Sequence, residues 1–441
     1  NIDFQSKKIR ISKSGKNFEV KGDLSNKKGL IKPNSFSKLV NFNLDFLEKK
    51  EISMETENEF SFNINSNRLI KDLNLKSSLK FDELYFNKKY QDLIYLEDGI
   101  IETEYSNNNL SVQILSKYSF IEDESKNVVN DKNDLNLYIV KKNNENIEVK
   151  GNLSNNKKTI DPKVLFELAK IKSDLLLSDK KITIESDNKF SFQIDEKQNV
   201  KDFSINSNLK FDELYFNKKY QDLIYLEDGI VEADINGENF AILIDSKYSF
   251  LNEKYNNTEN KNIIKSIIKK ESDKNISIET FLKNKKNKIN SKEFTKYFQS
   301  DQNFFKDQDI IFGSDSKITF EIDKNKKIKN LRLKSNINFD NVKIDYISNR
   351  IKKRIPNFRN QIFLNSDYLE LDYSKNKTQI KAKGKYSLND KFDDYEINII
   401  NEKDKFNFES SIYLNNNSIV IDEIDYTKEK DSLSILKLKA N

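Results

Sequence analysis

Apolar and polar residues alternate along much of this chain, with the period of a strand that has one apolar face. Phe60, Phe62 and Ile64 alternate with Ser61 and Asn63, and Phe190, Phe192 and Ile194 with Ser191 and Gln193. Ile182 and Ile184 flank Thr183, while Phe240, Ile242 and Ile244 alternate less cleanly with Ala241 and Leu243. Ile318/Phe320/Ile322, Leu331/Leu333 and Ile337/Phe339 continue the pattern. Asp98-Gly99, Asp228-Gly229 and Asn236-Gly237 read as tight turns between such runs. Together they predict roughly eight short strands per repeating unit.

The unit is found by laying the chain on itself. Leu79–Ile100 (LKFDELYFNKKYQDLIYLEDGI) recurs letter for letter as Leu209–Ile230, 130 positions later. Around it, Phe18–Asn26 aligns with Ile147–Asn155 and Ile276–Asn284, and Ser116-Lys117-Tyr118-Ser119 with Ser246–Ser249 and Gly384–Ser387. A period this long marks tandem structural repeats. We read β repeats over 1–130, 131–260 and 261–391, the third carrying a basic insertion, and a partial fourth over 392–441. Polar stretches near 121–134, 251–261 and 387–393 are the expected joints.

One segment per repeat changes period. Phe36/Leu39/Val40, Leu165/Leu168/Ala169 and Phe294/Tyr297/Phe298 fall at helical spacing, the first two after Pro33 and Pro162. Proline suits a first helical turn, where its missing N–H costs nothing, so one short helix per repeat is expected. The expected fold is therefore mainly β: tandem repeats of about 130 residues forming an elongated, curved sheet with a groove. The competing arrangement is a string of β-sandwiches with filled cores, as in a structural or adhesive surface protein.

Composition then removes whole classes of chemistry. The 441 residues contain no His, Cys or Trp, which excludes Ser–His and Cys–His nucleophile pairs, iron–sulfur clusters and ordinary zinc sites. Thirty-one Phe and nineteen Tyr supply a core. Lys and Arg exceed Asp and Glu by 76 to 71, a balance that predicts no nucleic-acid partner. No catalytic pair, metal loop or cofactor motif emerges, so we expect a protein that is not an enzyme and carries neither metal nor cofactor. The paired acids Glu97-Asp98 and Glu227-Asp228 read as turn chemistry. No apolar run approaches the ~20 residues needed to cross a bilayer. The first residue is Asn1, which leads us to expect an excerpt or processed product, with any signal or anchor upstream.

The order of elements resembles the AsmA-like superfamily, closest to its YhdP and TamB branch of bacterial envelope proteins. The residues that carry the resemblance are Ile160-Asp161-Pro162, Leu165/Leu168 and Lys201–Phe216 (KDFSINSNLKFDELYF), with counterparts at 31–39 and 71–86. The resemblance implies a periplasmic protein, anchored to the inner membrane by a segment outside this chain. It also implies a long β-groove that carries phospholipid acyl chains to the outer membrane.

Candidate lipid contacts are the inward residues of the alternating runs: Phe60, Phe62, Ile64, Leu79, Phe81, Phe190, Phe192, Ile194, Leu209, Phe211, Ile318, Phe320, Ile322, Ile337 and Phe339. In the third repeat Arg350, Lys352, Lys353, Arg354 and Arg359 cluster around Pro356, interleaved with Ile351, Ile355 and Phe358. A basic, partly apolar segment of this kind suits contact with anionic headgroups.

Overall fold

A computed structural model describes residues 4–32, 47–86, 94–120, 133–161, 180–215, 224–250, 262–291, 308–345 and 349–440, apart from single positions in a few turns. The expected helices around residues 36–40, 165–169 and 294–298 lie outside the described residues, as do most of two joints, at 121–132 and 251–261. The fold is mainly β. Among the described residues, twenty-two strands form open antiparallel sheet and two more form a small separate ribbon.

The strands follow the repeats. After β1 (Phe4–Gln5), the first repeat contributes β2 (Ile9–Ser14), β3 (Asn17–Ile31), β4 (Ile52–Ile64), β5 (Ile70–Tyr85), β6 (Ile94–Ser106) and β7 (Asn109–Phe120). The second gives β8 (Asn133–Lys141), β9 (Ile147–Ile160), β10 (Ile182–Ile194), β11 (Val200–Tyr215), β12 (Ile224–Asn236) and β13 (Asn239–Phe250). The third gives β14 (Asn262–Lys270), β15 (Ile276–Asn290), β16 (Asp309–Ile322), β17 (Ile328–Asp345), β18 (Gln361–Ser374) and β19 (Lys377–Ser387), with helix α1 (Asn349–Arg354) between β17 and β18. The partial fourth has β20 (Asp393–Glu402), β21 (Lys405–Tyr413), the ribbon β22 (Ile419–Ile421) and β23 (Tyr426–Lys428), and β24 (Ile435–Ala440). Among the described residues the second and third repeats thus use six strands each and the first the same six places plus the two-residue β1, most of them long, where the alternation suggested eight short ones.

The chain divides into two compact units, Asn1–Tyr220 with Ile230–Phe240, and Gln221–Gly229 with Ala241–Asn441. Within the first, β3 to β11 pair in sequence order as a meander. Within the second, β14 to β21 do the same and β24 adds to β21. Repeat junctions do not interrupt these ladders: β7 pairs with β8, and β19 with β20. Separate sandwiches on linkers are therefore not what forms at those junctions.

A meander puts successive connections at alternate edges. The tight turns, such as Asn107-Asn108 and the one at Gly237, fall at one edge of each unit. The long connections that contain the expected helices fall at the other.

Bulges recur at equivalent places. In the second strand of each full repeat the register shifts after Asn26, Asn155 and Asn284. A bulge leaves a backbone N–H without a ladder partner, which is costly when buried. In the second and third repeats, buried side chains 23 residues upstream accept it. Asn133 Oδ1 takes the Asn156 N–H at 3.1 Å, and Asn262 Oδ1 takes that of Lys285 at 3.1 Å. In the fourth repeat Asp393 Oδ1 takes that of Asn416 at 3.2 Å. Replacing Asn133 by Ala should cost roughly 1–3 kcal/mol locally. The Asn156 amide should then exchange about ten- to hundredfold faster; unchanged protection would mean that another group accepts it.

Asp393 differs from its two counterparts by its charge. Burial pushes its carboxyl above the ordinary carboxylate value, against hydrogen bonds from the Asn416 N–H and the Asn417 and Asn416 amides and the nearby Lys428 charge. The folded state then binds this proton more tightly than the unfolded chain, so its contribution to stability falls as pH rises from the unfolded to the folded pKa. The stability of Asp393→Asn relative to the native chain should therefore rise with pH from about 4 and level off once the native carboxyl is ionised. Paired thermal melts across this window measure it, and a difference that stays flat with pH contradicts the account.

Candidate lipid-facing surface

Directly paired residues of an antiparallel ladder share a face, so the register assigns every strand position. In the first unit, Phe62 pairs with Val20, Phe60 with Gly22 and Ile64 with Phe18. Across the next ladder Leu79 pairs with Thr56 and Phe81 with Met54. The second repeat reproduces this arrangement: Phe192 with Val149, Phe190 with Gly151 and Ile194 with Ile147, then Leu209 with Ser186 and Phe211 with Ile184. In the second unit Ile318, Phe320 and Ile322 pair with Thr280, Ile278 and Ile276, while Ile337 and Phe339 face Ser314 and Phe312. Within each unit the named candidates therefore share one face.

That face is built low. Phe60, Phe81 and Phe190 each reach across a neighbouring strand over Gly22, Gly99 and Gly151, and a β-carbon at any of these glycines would collide with the ring. Phe60 and Phe62 stack with centroids 6.0 Å apart and planes at 20°, and Phe190 and Phe192 at 6.3 Å and 14°. The glycines thus serve as seats for rings, a role that alternation alone does not reveal. Gly at one place in one strand opposite Phe in the next is the signal that could have found them.

Burial is graded along the strands. Near the long connections, Ile31, Ile52, Met54, Phe81, Ile160, Ile182, Ile184 and Phe211 are all buried. Phe60, Phe62, Ile64, Leu79, Phe190, Phe192, Ile194 and Leu209 are half-buried, as are Ile318, Phe320, Ile322, Ile337 and Phe339. Among the described residues the β22–β23 ribbon is the sole second sheet.

At the buried end Tyr118 donates to Asn155 Oδ1 at 2.5 Å, and Asn155 donates to Ser186 Oγ at 2.7 Å. Burial raises the Tyr118 phenol well above its usual value, so it stays a donor. Tyr248, Asn284 and Ser314 repeat this chain.

The opposite face is polar, with ion pairs such as Lys76–Glu104 at 3.0 Å, Lys80–Glu55 at 3.2 Å and Lys150–Glu148 at 2.6 Å. Pairs this open to water contribute little to stability. They oppose association through that face.

The Asp-Gly turn signals resolve differently. Asp98-Gly99 lies inside β6 and Asp228-Gly229 inside β12, each Asp at positive φ (49° and 47°). In β6 the ladder to β7 shifts between Glu97 and Ile100, which makes the dipeptide a bulge. Glu97 is buried and accepts from Ser119 at 2.5 Å. Only the Asn236-Gly237 signal marks a hairpin turn, with Gly237 at φ 59°.

The basic segment is partly engaged. Arg354 makes a two-pronged ion pair with Glu423, one contact at 2.7 Å, and Lys353 lies 3.4 Å from Asp422. Arg350, Lys352 and Arg359 are exposed. Ile351, Ile355 and Phe358 pack on Tyr386, Leu388, Tyr395 and Leu414, so the segment covers part of the core of the second unit. Among the described residues no three acids or other ligating side chains gather as a metal site, and no helix is long and apolar enough to cross a membrane.

No family model, curated protein or solved structure matches this chain.

The gradient predicts unequal costs. Phe211→Ala, at 4% exposure, should cost about 3–5 kcal/mol. Phe192→Ala, on the half-buried stretch, should cost about 1–2 kcal/mol. Hydrogen exchange across β10 and β11 reads both. An equal or larger loss at Phe192 would make that stretch a filled core.

Proposed function

We propose that this chain is a non-enzymatic lipid carrier whose apolar sheet face receives phospholipid acyl chains. The observation that supports this most is the half-buried stretch of aligned Phe, Ile and Leu side chains on one face of each unit, with polar residues on the other. Such a face has no need of a fixed polar partner, and its flat, glycine-seated rings offer contact along a chain. Burying a methylene is worth ~0.8 kcal/mol, so about ten methylenes half-covered on the face would gain roughly 4 kcal/mol.

The setting is a proposal of the same kind. The resemblance to AsmA-like envelope proteins supports transport between the inner and outer membranes of a Gram-negative-type cell, in the periplasm. Membrane attachment would come from segments outside this chain. The exposed residues of the basic insertion, Arg350, Lys352 and Arg359, remain candidates for headgroup contact.

Lipid mass spectrometry on gently purified chain tests the reading, with phospholipid expected at a fixed ratio. Phe62→Asp and Phe192→Asp should each lower that ratio several-fold while circular dichroism keeps its β signature, because a half-buried position keeps part of a carboxylate in water. Native protein that is lipid-free and takes up no phosphatidylglycerol overturns the proposal.

A further inference from the structure

The basic residues of the chain are unevenly placed once it folds. Within the second unit, three tight turns follow one another at one edge, joining β16 to β17, β18 to β19 and β20 to β21. The last two touch, since the Lys403 N–H donates to the Asn376 carbonyl at 3.0 Å. Residues 323–329, 375–377 and 402–405 hold eight lysines against three acids. That excess of five equals the formal net charge of the whole chain, +5.

The β16–β17 tip reaches furthest. Ile322 pairs with Ile328, but β18 begins to pair only at Arg332, opposite Ser374. The tip therefore stands four residues further out, about 13 Å at the rise of a strand. Its one acid is turned inward to the turn. Asp323 accepts the Asn325 N–H at 2.9 Å and the Lys327 N–H at 3.0 Å, and pairs with Lys329 at 2.9 Å. Lys324 approaches Asp273 only at 4.0 Å, with both side chains open to water. Ile328, 62% exposed, projects among these lysines.

Two features recur at these tips. Lys326 sits in the left-handed region at φ 60°, where a side chain is strained, and so does Arg68 (φ 61°) at the β4–β5 tip of the first unit. An exposed aliphatic follows at the same place in every full repeat: Ile70 at 60%, Val200 at 59% and Ile328 at 62%. Asn65 and Asp195 organise those tips as Asp323 does, each accepting two turn N–H groups.

We propose that these hairpin tips, the β16–β17 tip foremost, are a docking edge for the surface of an anionic phospholipid bilayer. Lysines around a projecting aliphatic match such a surface: the ammonium groups meet phosphate, and the aliphatic enters the interface. The set-back lysines at 375, 377, 403 and 405 add attraction at roughly a Debye length. A nucleic acid would use the charge but gain nothing from Ile328. This edge is separate from the apolar face, and the inference does not rest on acyl chains binding there.

Flotation of the full chain with vesicles tests it. Binding is expected to vesicles of phosphatidylcholine mixed with phosphatidylglycerol, and not to pure phosphatidylcholine. Replacing Lys324, Lys326 and Lys327 together by Ser should weaken binding roughly ten- to hundredfold, and Lys→Arg at the same places should restore it. Ile328→Ser should weaken it several-fold at every salt concentration, because that loss is not electrostatic. Equal flotation with both vesicles overturns the proposal, as do Ser variants that bind like the native chain. Tight binding to duplex DNA without any effect of Ile328→Ser would make the edge a general polyanion surface instead. Co-purified lipid should be unchanged in the tip variants. Loss of flotation with lipid retained therefore concerns this edge alone, and lipid-free protein that still floats concerns only the apolar face.

Discussion

A backbone N–H displaced from the strand ladder sets the terms for the rest of the fold. Each second strand carries an extra residue after Asn26, Asn155 or Asn284, and the side-chain parity shifts there. Because side chains alternate with period two, a slip by one residue would send Phe190 and Phe192 to the polar face and Lys189 and Ser191 to the apolar one. The bulge must therefore sit at one place and no other. Asn133 and Asn262, almost wholly buried, fix it by taking the freed N–H. The Tyr118–Asn155–Ser186 chain holds the same bulge from the neighbouring strands. Apolar alternation creates the face, and these few polar side chains decide where each strand's share of it begins.

This division explains what could be read from the sequence. The face itself was legible, since Phe60/Phe62/Ile64 and their counterparts need only local period two. Strand number was not. A bulge such as that between Lys71 and Asn74, opposite Ser61 and Asn63, breaks the alternation, so one sixteen-residue strand, β5, reads as two short ones. Asp98-Gly99 has the chemistry of a hairpin turn and of a bulge alike, because both want positive φ followed by little bulk. Only the pairing of Glu97 with Lys117 and Ile100 with Leu115 separates them. The engagement of Arg354 depends on Glu423, 69 residues later. The docking edge was hidden for the same reason: its lysines are scattered in sequence and gathered only by the meander.

The open face and the charged edge answer different demands. A sheet with one apolar face ordinarily buries it against a second layer. Here the described strands bury that face well near the long connections and only by half elsewhere, and the glycine seats keep its rings close to the backbone. In the second unit the basic insertion supplies part of the cover: Ile351, Ile355 and Phe358 lie on the core while the charges on the same short segment face acids or water. The segment with the strongest headgroup signature in the sequence is thus partly a packing element. The turn lysines, which carry no packing role, are freer to meet a partner.

The duplicated block takes on a physical meaning in this frame. Leu79–Ile100 runs from the end of β5 to the bulge of β6, so it contains both Phe81 and the Gly99 beneath its ring. The two are a coupled pair: any side chain at Gly99 collides with the ring, and loss of the ring leaves a bare glycine in a strand. In the third repeat the corresponding phenylalanine, Phe339, faces Ser366. The ladder around it carries two irregularities, from Ile337 to Phe339 and from Phe339 to Val342. There Phe339 packs beside Ile310, Val342 and Phe312 instead. Where the seat is gone, the ring has side-chain neighbours in its place, and the ladder beside it is irregular. The block's identity in two copies marks a shared origin. What keeps its two ends in step is the contact between them, and the third repeat shows the local structure changing when one half of that contact is replaced.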